Sequence, residues 1–222
     1  MHEHGAGTPD GHETHDFDAA YWERHWQDRP AGGPPPNPYL ARELGDLAPG
    51  TALDAGCGAG AEAVWLAEHG WQVTAVDVSA EALARAAERP VAGDAAGRVR
   101  WQQADLCDWR PATAFDLVTT HYAHPAMPQL DFYERIADWV APGGTLLVVG
   151  HGSTHHHGDG PQHGDGPQPP AEATVTAADV AGRLDDAGWE VLTAGEQQRS
   201  VTAPDGRVVA LRDVVVRAVR RR

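Results

Sequence analysis

The chain contains no lysine: all 17 of its Lys and Arg side chains are arginine. That removes a Schiff-base lysine, and with it the lysine by which phosphate-loop hydrolases grip a nucleotide. Cysteine is nearly missing as well. Only Cys57 and Cys107 occur, with no Cys-x-x-Cys pair. A disulfide framework and a cysteine zinc site are both excluded, and two isolated thiols fit a reducing, cytoplasmic setting. No apolar run approaches the roughly 20 residues needed to cross a bilayer. The opening Met1-His2-Glu3-His4-Gly5 lacks the basic and apolar regions of a secretion signal. Positive charge is outnumbered, and the formal net charge is -15 at pH 7. An acidic surface repels phosphate backbones, which argues against nucleic acid and anionic membrane as partners.

What remains is enough for one α/β domain: 222 residues, 41% hydrophobic. Two segments stand outside that domain. Residues 1–16 are polar and aperiodic, and disorder is expected there. Residues 151–173 are rich in His, Gly and Pro, with Gly-Asp-Gly-Pro-Gln at Gly158 and again at Gly164, and a flexible loop is expected. Nine of the 13 histidines fall in these two segments. Such tracts bind transition metals adventitiously through neutral imidazole, whereas a catalytic site needs ligands on a scaffold, and no His-Glu-x-x-His is present. No structural or catalytic metal is expected. A metal-buffering protein built on an otherwise silent scaffold is the alternative that the histidine tracts leave open.

Residues 17–222 alternate between two periods. Asp18 can cap a helix through Tyr21, Trp22 and Trp26, and Asn37 a second one with Pro38 at its first position, running to about Leu47. Strands are expected at Thr51–Leu53, Gln72–Asp77, Val99–Asp105 and Phe115–Tyr122, and again after the Pro142-Gly143-Gly144 turn. Helices intervene: one begins at Ala61, one is capped by Ser79, and one runs from Gln129 to Val140. A further helix, capped by Thr176, is expected over 177–187, ended by Gly188. Strand–helix alternation means a largely parallel sheet with helices on both faces. No helix separates Trp189–Thr193 from Val208–Ala218, so these should form a hairpin across the turn Pro204-Asp205-Gly206, with one strand antiparallel to the rest.

The stretch Leu53-Asp54-Ala55-Gly56-Cys57-Gly58-Ala59-Gly60 joins the first strand to its helix. Its glycines fall as Gly-x-Gly-x-Gly, where close approach of a ligand to the main chain and positive φ are tolerated. The helix that follows offers free N–H groups. A leading acid suits a ligand bearing an ammonium group better than a pyrophosphate. Asp77 and Asp105 then close the second and third strands, and an acid at the end of the second strand suits ribose hydroxyls.

This series, in this order, resembles the class I S-adenosylmethionine-dependent methyltransferases. The resemblance implies a Rossmann-like doubly wound, seven-stranded, mostly parallel sheet closed by an antiparallel C-terminal hairpin, with S-adenosyl-L-methionine as cofactor. It implies that Asp54, Ala55, Gly56, Cys57, Gly58 and Gly60 hold the methionine end. Asp77, followed by Val78, would take the ribose hydroxyls. Asp105 would accept from the adenine amino group, with Ala104 and Leu106 beside the ring. Thr119, Thr120, His121 and Tyr122 would line the floor near the sulfonium. A nicotinamide-dependent oxidoreductase fits less well, because its glycine spacing is Gly-x-Gly-x-x-Gly and the terminal hairpin is foreign to it.

His121 and His124 follow the fourth strand, at the sheet edge where ligands bind, and either could take a proton near neutral pH. A hydrogen-bonded loop histidine is the plainer alternative. Tyr122 and His124 are the candidate substrate contacts. Trp22 and Trp26 are four apart and share a helix face, either packing that helix over the sheet or placing Trp22 beside the cofactor as a lid. Tyr21-Trp22-Glu23-Arg24 with Pro36-Asn37-Pro38-Tyr39-Leu40 is similar to the small tellurite-resistance and thiopurine methyltransferase group, from which the histidine-rich loop departs. The expected function is methyl transfer to a small-molecule acceptor, a thiol or metalloid in detoxification.

Overall fold

The computed structural model describes residues 17–30, 33–152, 173–202 and 208–222. Residues 1–16, where disorder is expected, residues 153–172 of the expected loop, and the expected turn at 204–206 lie outside the described residues.

Helix α1 (Ala19–Gln27) begins where Asp18 Oδ1 accepts the Tyr21 amide at 2.7 Å. Helix α2 (Tyr39–Leu44) begins after Pro38, and Asn37 Oδ1 accepts the Tyr39 amide at 3.1 Å. It stops short of Leu47, at Gly45. Strand β1 (Thr51–Ala55), helix α3 (Ala61–Glu68), strand β2 (Gln72–Asp77), helix α4 (Ala80–Ala87), strand β3 (Val99–Gln103) and strand β4 (Phe115–His121) then alternate. After them come α5 (Gln129–Ala137), β5 (Val140–Gly152), β6 (Thr174–Val175), α6 (Ala177–Ala181), β7 (Trp189–Thr202) and β8 (Val208–Arg220).

The sheet runs β3-β2-β1-β4-β5-β8-β7, with the short β6 paired to the end of β5. β1 to β5 are parallel, and β8 lies antiparallel between β5 and β7. The central strands are apolar on both faces. Val148 and Val216 point into one layer with Phe132, Ile136 and Val180, whereas Leu147, Val149 and Val215 point into the other with Leu40 and Leu66. That is the period-two pattern of strands covered by helices on both sides. Connections leave β1 and β4 toward opposite faces, so a crevice opens between their C-terminal ends, the usual ligand position in such sheets.

Four expected boundaries are corrected. Helix α5 ends at Ala137, and Val140 opens β5 opposite Phe115. The pairing resumes at Leu117 opposite Thr145, so Pro142, Gly143 and Gly144 form an excursion inside one strand, with Gly143 at φ 83°. Helix α6 stops at Ala181 before Gly182 instead of reaching 187. Strand β7 continues nine residues past Thr193, to Thr202, because β8 supplies a partner along its whole length. At the other end, His151 and Gly152, assigned to the flexible loop on composition, belong to β5. They pair with Thr174 and Val175, and His151 also with Asp213.

Candidate active site

The glycine loop leaves β1 and folds over β2, with the Gly56 and Cys57 amides donating to Val76 O at 2.9 and 3.0 Å. Gly56, Gly58 and Gly60 all have positive φ, at 79°, 50° and 76°. At Gly58 a Cβ would meet the Trp26 ring at 2.8 Å, so glycine serves both conformation and the close approach of α1. Ala55 lies beneath, its carbonyl accepting the Thr120 hydroxyl at 2.8 Å.

Asp54 is 1% exposed. Its Oδ2 has no partner, and the nearby Ala63 amide favours the charged form only in part. Burial, reinforced by the nearby Glu62 and Asp77 carboxylates, pushes its carboxyl well above the usual range. A buried acceptor without a donor, beside the glycine loop, fits the ammonium end of S-adenosylmethionine. Asp77 is also buried. Its Oδ2 accepts the Gly58 amide at 2.8 Å and its Oδ1 the Ser79 amide at 2.9 Å. Each oxygen keeps a second lone pair, so the group can brace the loop and still accept a hydroxyl. Burial raises its carboxyl, and these amides work against that shift. Burial, then Asp77 and Asp54, also raise the Cys57 thiol, which therefore stays protonated.

Val78, Ala104, Asp105 and Leu106 gather at the ends of β2 and β3. The Ala104 amide donates to Asp77 O at 3.0 Å, and Val78 O accepts Gln103 Nε2 at 3.2 Å. Leu106 is buried, whereas Asp105 is exposed and accepts the Cys107 amide at 2.8 Å.

At the end of β4, Thr119 is buried and its hydroxyl lies 3.4 Å from His121 Nδ1. His121 Nε2 is sealed from solvent without a partner. Tyr122 turns the chain at φ 55°, a conformation that non-glycine residues rarely hold. Its hydroxyl donates to Asp213 Oδ1 at 2.8 Å and accepts Arg199 Nη2 at 3.0 Å and Asn37 Nδ2 at 3.3 Å. Asp213, fully buried, also accepts Arg199 Nε at 2.6 Å and the Tyr39 hydroxyl at 3.1 Å. Burial and Asp213 push the Tyr39 phenol up to about 12 and the Tyr122 phenol higher still.

His124, 7% exposed, lies among rings: Phe17 at 5.7 Å, Trp22 at 6.4 Å and His151 at 5.4 Å between centroids. His151 also sits 4.7 Å from Tyr122. Burial lowers the imidazoles of His121, His124 and His151, the last to about 4, so all three are neutral near pH 7. Beside Phe17 opens a groove of about 640 Å³, lined by Pro125, Met127, Leu130 and Val175 among others.

Helix α1 crosses above. Trp22 Nε1 donates to His124 O at 2.9 Å. Glu23 Oε2 accepts the Ser79 hydroxyl at 2.7 Å and the Glu81 amide at 3.3 Å. Trp22 thus stands by the histidines, and Trp26, one turn on, by the glycine loop. His151, Asp213, Arg199 and Tyr39 join the site although none of them was expected there from the sequence. Among the described residues no cluster of three or more His, Cys, Asp or Glu could hold a metal, and no helix is long and apolar enough to cross a membrane. The histidines behind the metal-buffering alternative, His151 apart, lie outside the described residues.

Residues 52–144 match the family described as a methyltransferase domain. A probable thiol methyltransferase 2 of Arabidopsis thaliana is 30% identical over 139 residues, 58% of this chain and 60% of that protein. A structure solved in work on the conversion of a disulfide bond into a thioacetal group during echinomycin biosynthesis superposes with a TM-score of 0.63 at 21% identity, covering 92% of this chain and 90% of the other. TehB from Haemophilus influenzae superposes with a TM-score of 0.63 at 17% identity, covering 84% of this chain and 63% of the other. The chain spans less than two thirds of the length of the first curated relatives it matches. The ordered loop and acids, the sheet and these likenesses agree: residues 52–144 carry a methyltransferase domain, set on a sheet of the class I S-adenosylmethionine-dependent type.

Proposed function

We propose that the protein transfers a methyl group from S-adenosylmethionine to a small organic acceptor with a soft nucleophile, a thiol first among them. The observation that carries this is the pairing of two features at one sheet edge. The unpartnered Asp54 Oδ2 stands in the glycine loop, and a ring-walled chamber of neutral histidines follows β4 and β5. When bound, S-adenosylmethionine supplies a methyl group on positive sulfur, which an acceptor's lone pair displaces. Asp54 and the loop would hold its methionine end, Asp77 its ribose and Asp105 its adenine. The protein's own part is alignment and exclusion of water, which Trp22, Phe17 and Trp26 serve by covering the crevice.

The choice of acceptor follows from charge. Among the described residues lining the groove beside Phe17 the one cation is Arg183, and it is held by Asp131 and Glu134 at 3.2 and 3.0 Å. An oxyanion such as tellurite or selenite finds no free counter-ion there among the described residues, whereas a neutral thiol with an apolar body does well. The similarity to a probable thiol methyltransferase supports the same class.

Calorimetric titration with S-adenosylmethionine and S-adenosylhomocysteine, with NAD as control, tests the cofactor on wild type and Asp77→Asn. Formation of S-adenosylhomocysteine with 2-mercaptoethanol, bisulfide, selenite and tellurite tests the acceptor. Micromolar binding weakened in the variant, and turnover of 2-mercaptoethanol above the oxyanions, are expected. Well-folded protein that binds neither cofactor form would sink the proposal. Turnover confined to the oxyanions would remove the thiol.

A further inference from the structure

Gln129, the first residue of α5, is 6% exposed and carries no role in the sequence motifs. Its Nε2 donates to Ala123 O at 2.9 Å. A carbonyl can only accept, so this contact fixes which end of the amide faces which way. Oε1 is thereby turned to His124 Nδ1, 2.8 Å away. An amide oxygen can only accept in its turn, so the proton of the neutral imidazole must sit on Nδ1. His124 Nε2 is left as a bare lone pair, sealed from solvent and without a partner. The other candidate, His121, is not set in this way. Its contact at Nδ1 is the Thr119 hydroxyl at 3.4 Å, which can give or take a proton.

We infer that Gln129 is a positioning residue that holds His124 in the Nδ1–H tautomer, so that His124 Nε2 takes the proton of the methyl acceptor. The inference rests on the acceptor reading above for its chemistry, and on the two hydrogen bonds alone for its geometry. The step balances simply. As the acceptor X–H gives its lone pair to the methyl carbon, the methyl–sulfur bond breaks and its electron pair stays on sulfur, so that S-adenosylhomocysteine is the neutral leaving group; the X–H proton passes to Nε2, and His124 leaves the step as imidazolium. The Nδ1–H bond to Oε1 strengthens when the ring becomes charged, which favours the proton's arrival. The new cation gives up its proton once the methylated product leaves and water can reach Nε2, because burial in this chamber disfavours the charged ring.

The surroundings suit that role. The rings of Phe17 and Trp22 on α1 and of His151 on β5 pack around His124, and Tyr122 precedes it on the same loop. His151 is neutral near pH 7, with its imidazole lowered to about 4. The charged pair Asp213 and Arg199, on β8 and β7, is closed on itself at 2.6 Å and bonded to Tyr122. No neighbour among these competes for the proton near neutral pH. A thiol such as 2-mercaptoethanol is mostly protonated at pH 7 and needs such a base, whereas above about pH 9 it ionises unaided.

The test uses the full chain with nitrogen-15 histidine, its His124 signals identified by their loss in His124→Asn. Long-range proton–nitrogen correlation spectra then read the tautomer without any turnover. Wild type should show Nδ1 protonated and Nε2 bare. Gln129→Met should shift the ring toward Nε2–H, and Gln129→Glu, which keeps an acceptor at that point, should restore Nδ1–H. With 2-mercaptoethanol at pH 7, His124→Asn should lose about 100-fold and Gln129→Met about tenfold in turnover, and both should recover above about pH 9. Affinity for S-adenosylhomocysteine should stay within about twofold. A wild-type ring found as Nε2–H, or a tautomer indifferent to Gln129→Met, overturns the inference. So does an activity loss that is equal at both pH values. Wild type inert toward every thiol removes the acceptor reading and with it the proton transfer, while the spectra still decide whether Gln129 sets the ring.

Discussion

A buried carboxylate with an oxygen that faces no donor is costly to keep ionised once water is gone. Asp54 is such a group, and its raised titration has a sign that can be worked through. With its folded value above its unfolded one, its contribution to stability is present below the usual carboxylate range and is lost as pH rises through the folded value. Near neutrality the charged form is therefore a burden on the empty site, relieved when an ammonium group arrives. Asp54→Asn should raise the unfolding midpoint of the unliganded protein while weakening S-adenosylhomocysteine binding at least about tenfold. Binding to wild type should also release protons, which calorimetry in two buffers of different ionisation heat measures. An Asn variant that binds as well as wild type would overturn the assignment. Asp54, Asp77 and the loop were legible in the sequence because their meaning lies in local spacing. His151 and Asp213 were not. His151 follows a strand but opens a run of Gly, His and Pro, and only pairing with distant Thr174 and Asp213 keeps it extended. Asp213 is a lone acid in a valine-rich strand, and its partners Tyr39, Tyr122 and Arg199 come from three separate stretches of chain.

Helix α1 shows the same division between local and distant causes. Its start was readable from Asp18, and its aromatic face from the spacing of Trp22 and Trp26. Its docking was not, since that depends on Glu23 reaching the N-terminus of α4. There Ser79 does two things at once: its oxygen caps the Ala82 amide at 3.1 Å, and its hydroxyl proton goes to Glu23. That bond, ahead of the Glu81 and Ala80 amides, holds the Glu23 carboxyl below its usual value. None of the residues of α1 is fully buried, so the helix stays over the crevice through a few directed contacts, chiefly Glu23 to α4 and Trp22 Nε1 to the His124 carbonyl. An element held in this way is drawn from the low-stability end of a fold and can open without global unfolding. Glu23→Ala should speed release of S-adenosylhomocysteine by about three- to tenfold with little change in its association rate, as seen in stopped-flow displacement. Equal release rates would mean that α1 does not limit exit. The boundaries missed at α5, α6 and β7 have one physical origin. Val140, the 182–187 segment and the half of β7 beyond Thr193 carry patterns compatible with either neighbour state. Pairing to β4 and β8 decided for strand, and Gly182 ended the helix early.

For the molecule as a whole, three neutral histidines packed at the heart of the crevice set a limit on acid stability. Their imidazoles are depressed by burial, so each contributes stability that is complete above the unfolded value of 6.5 and is lost as pH falls through the folded value. For His151 that window runs from 6.5 down to about 4, which corresponds to about 3 kcal/mol. Opposing effects act as pH falls. The net charge of -15 shrinks, which eases self-repulsion, and the raised carboxyls of Asp54 and Asp77 gain their protons. The absolute profile mixes these contributions, and a difference between two proteins separates them. His151→Gln keeps a planar polar group but cannot charge. It should be less stable than wild type at pH 7, where the packed neutral ring is an asset. The gap should close by about pH 4, where wild type must either bury an imidazolium or open the chamber. Urea unfolding at several pH values measures both curves. Parallel curves, with the gap unchanged from pH 7 to pH 4, would show that His151 titrates as an exposed histidine does, and that the wall it forms with Tyr122 and His124 is open to water.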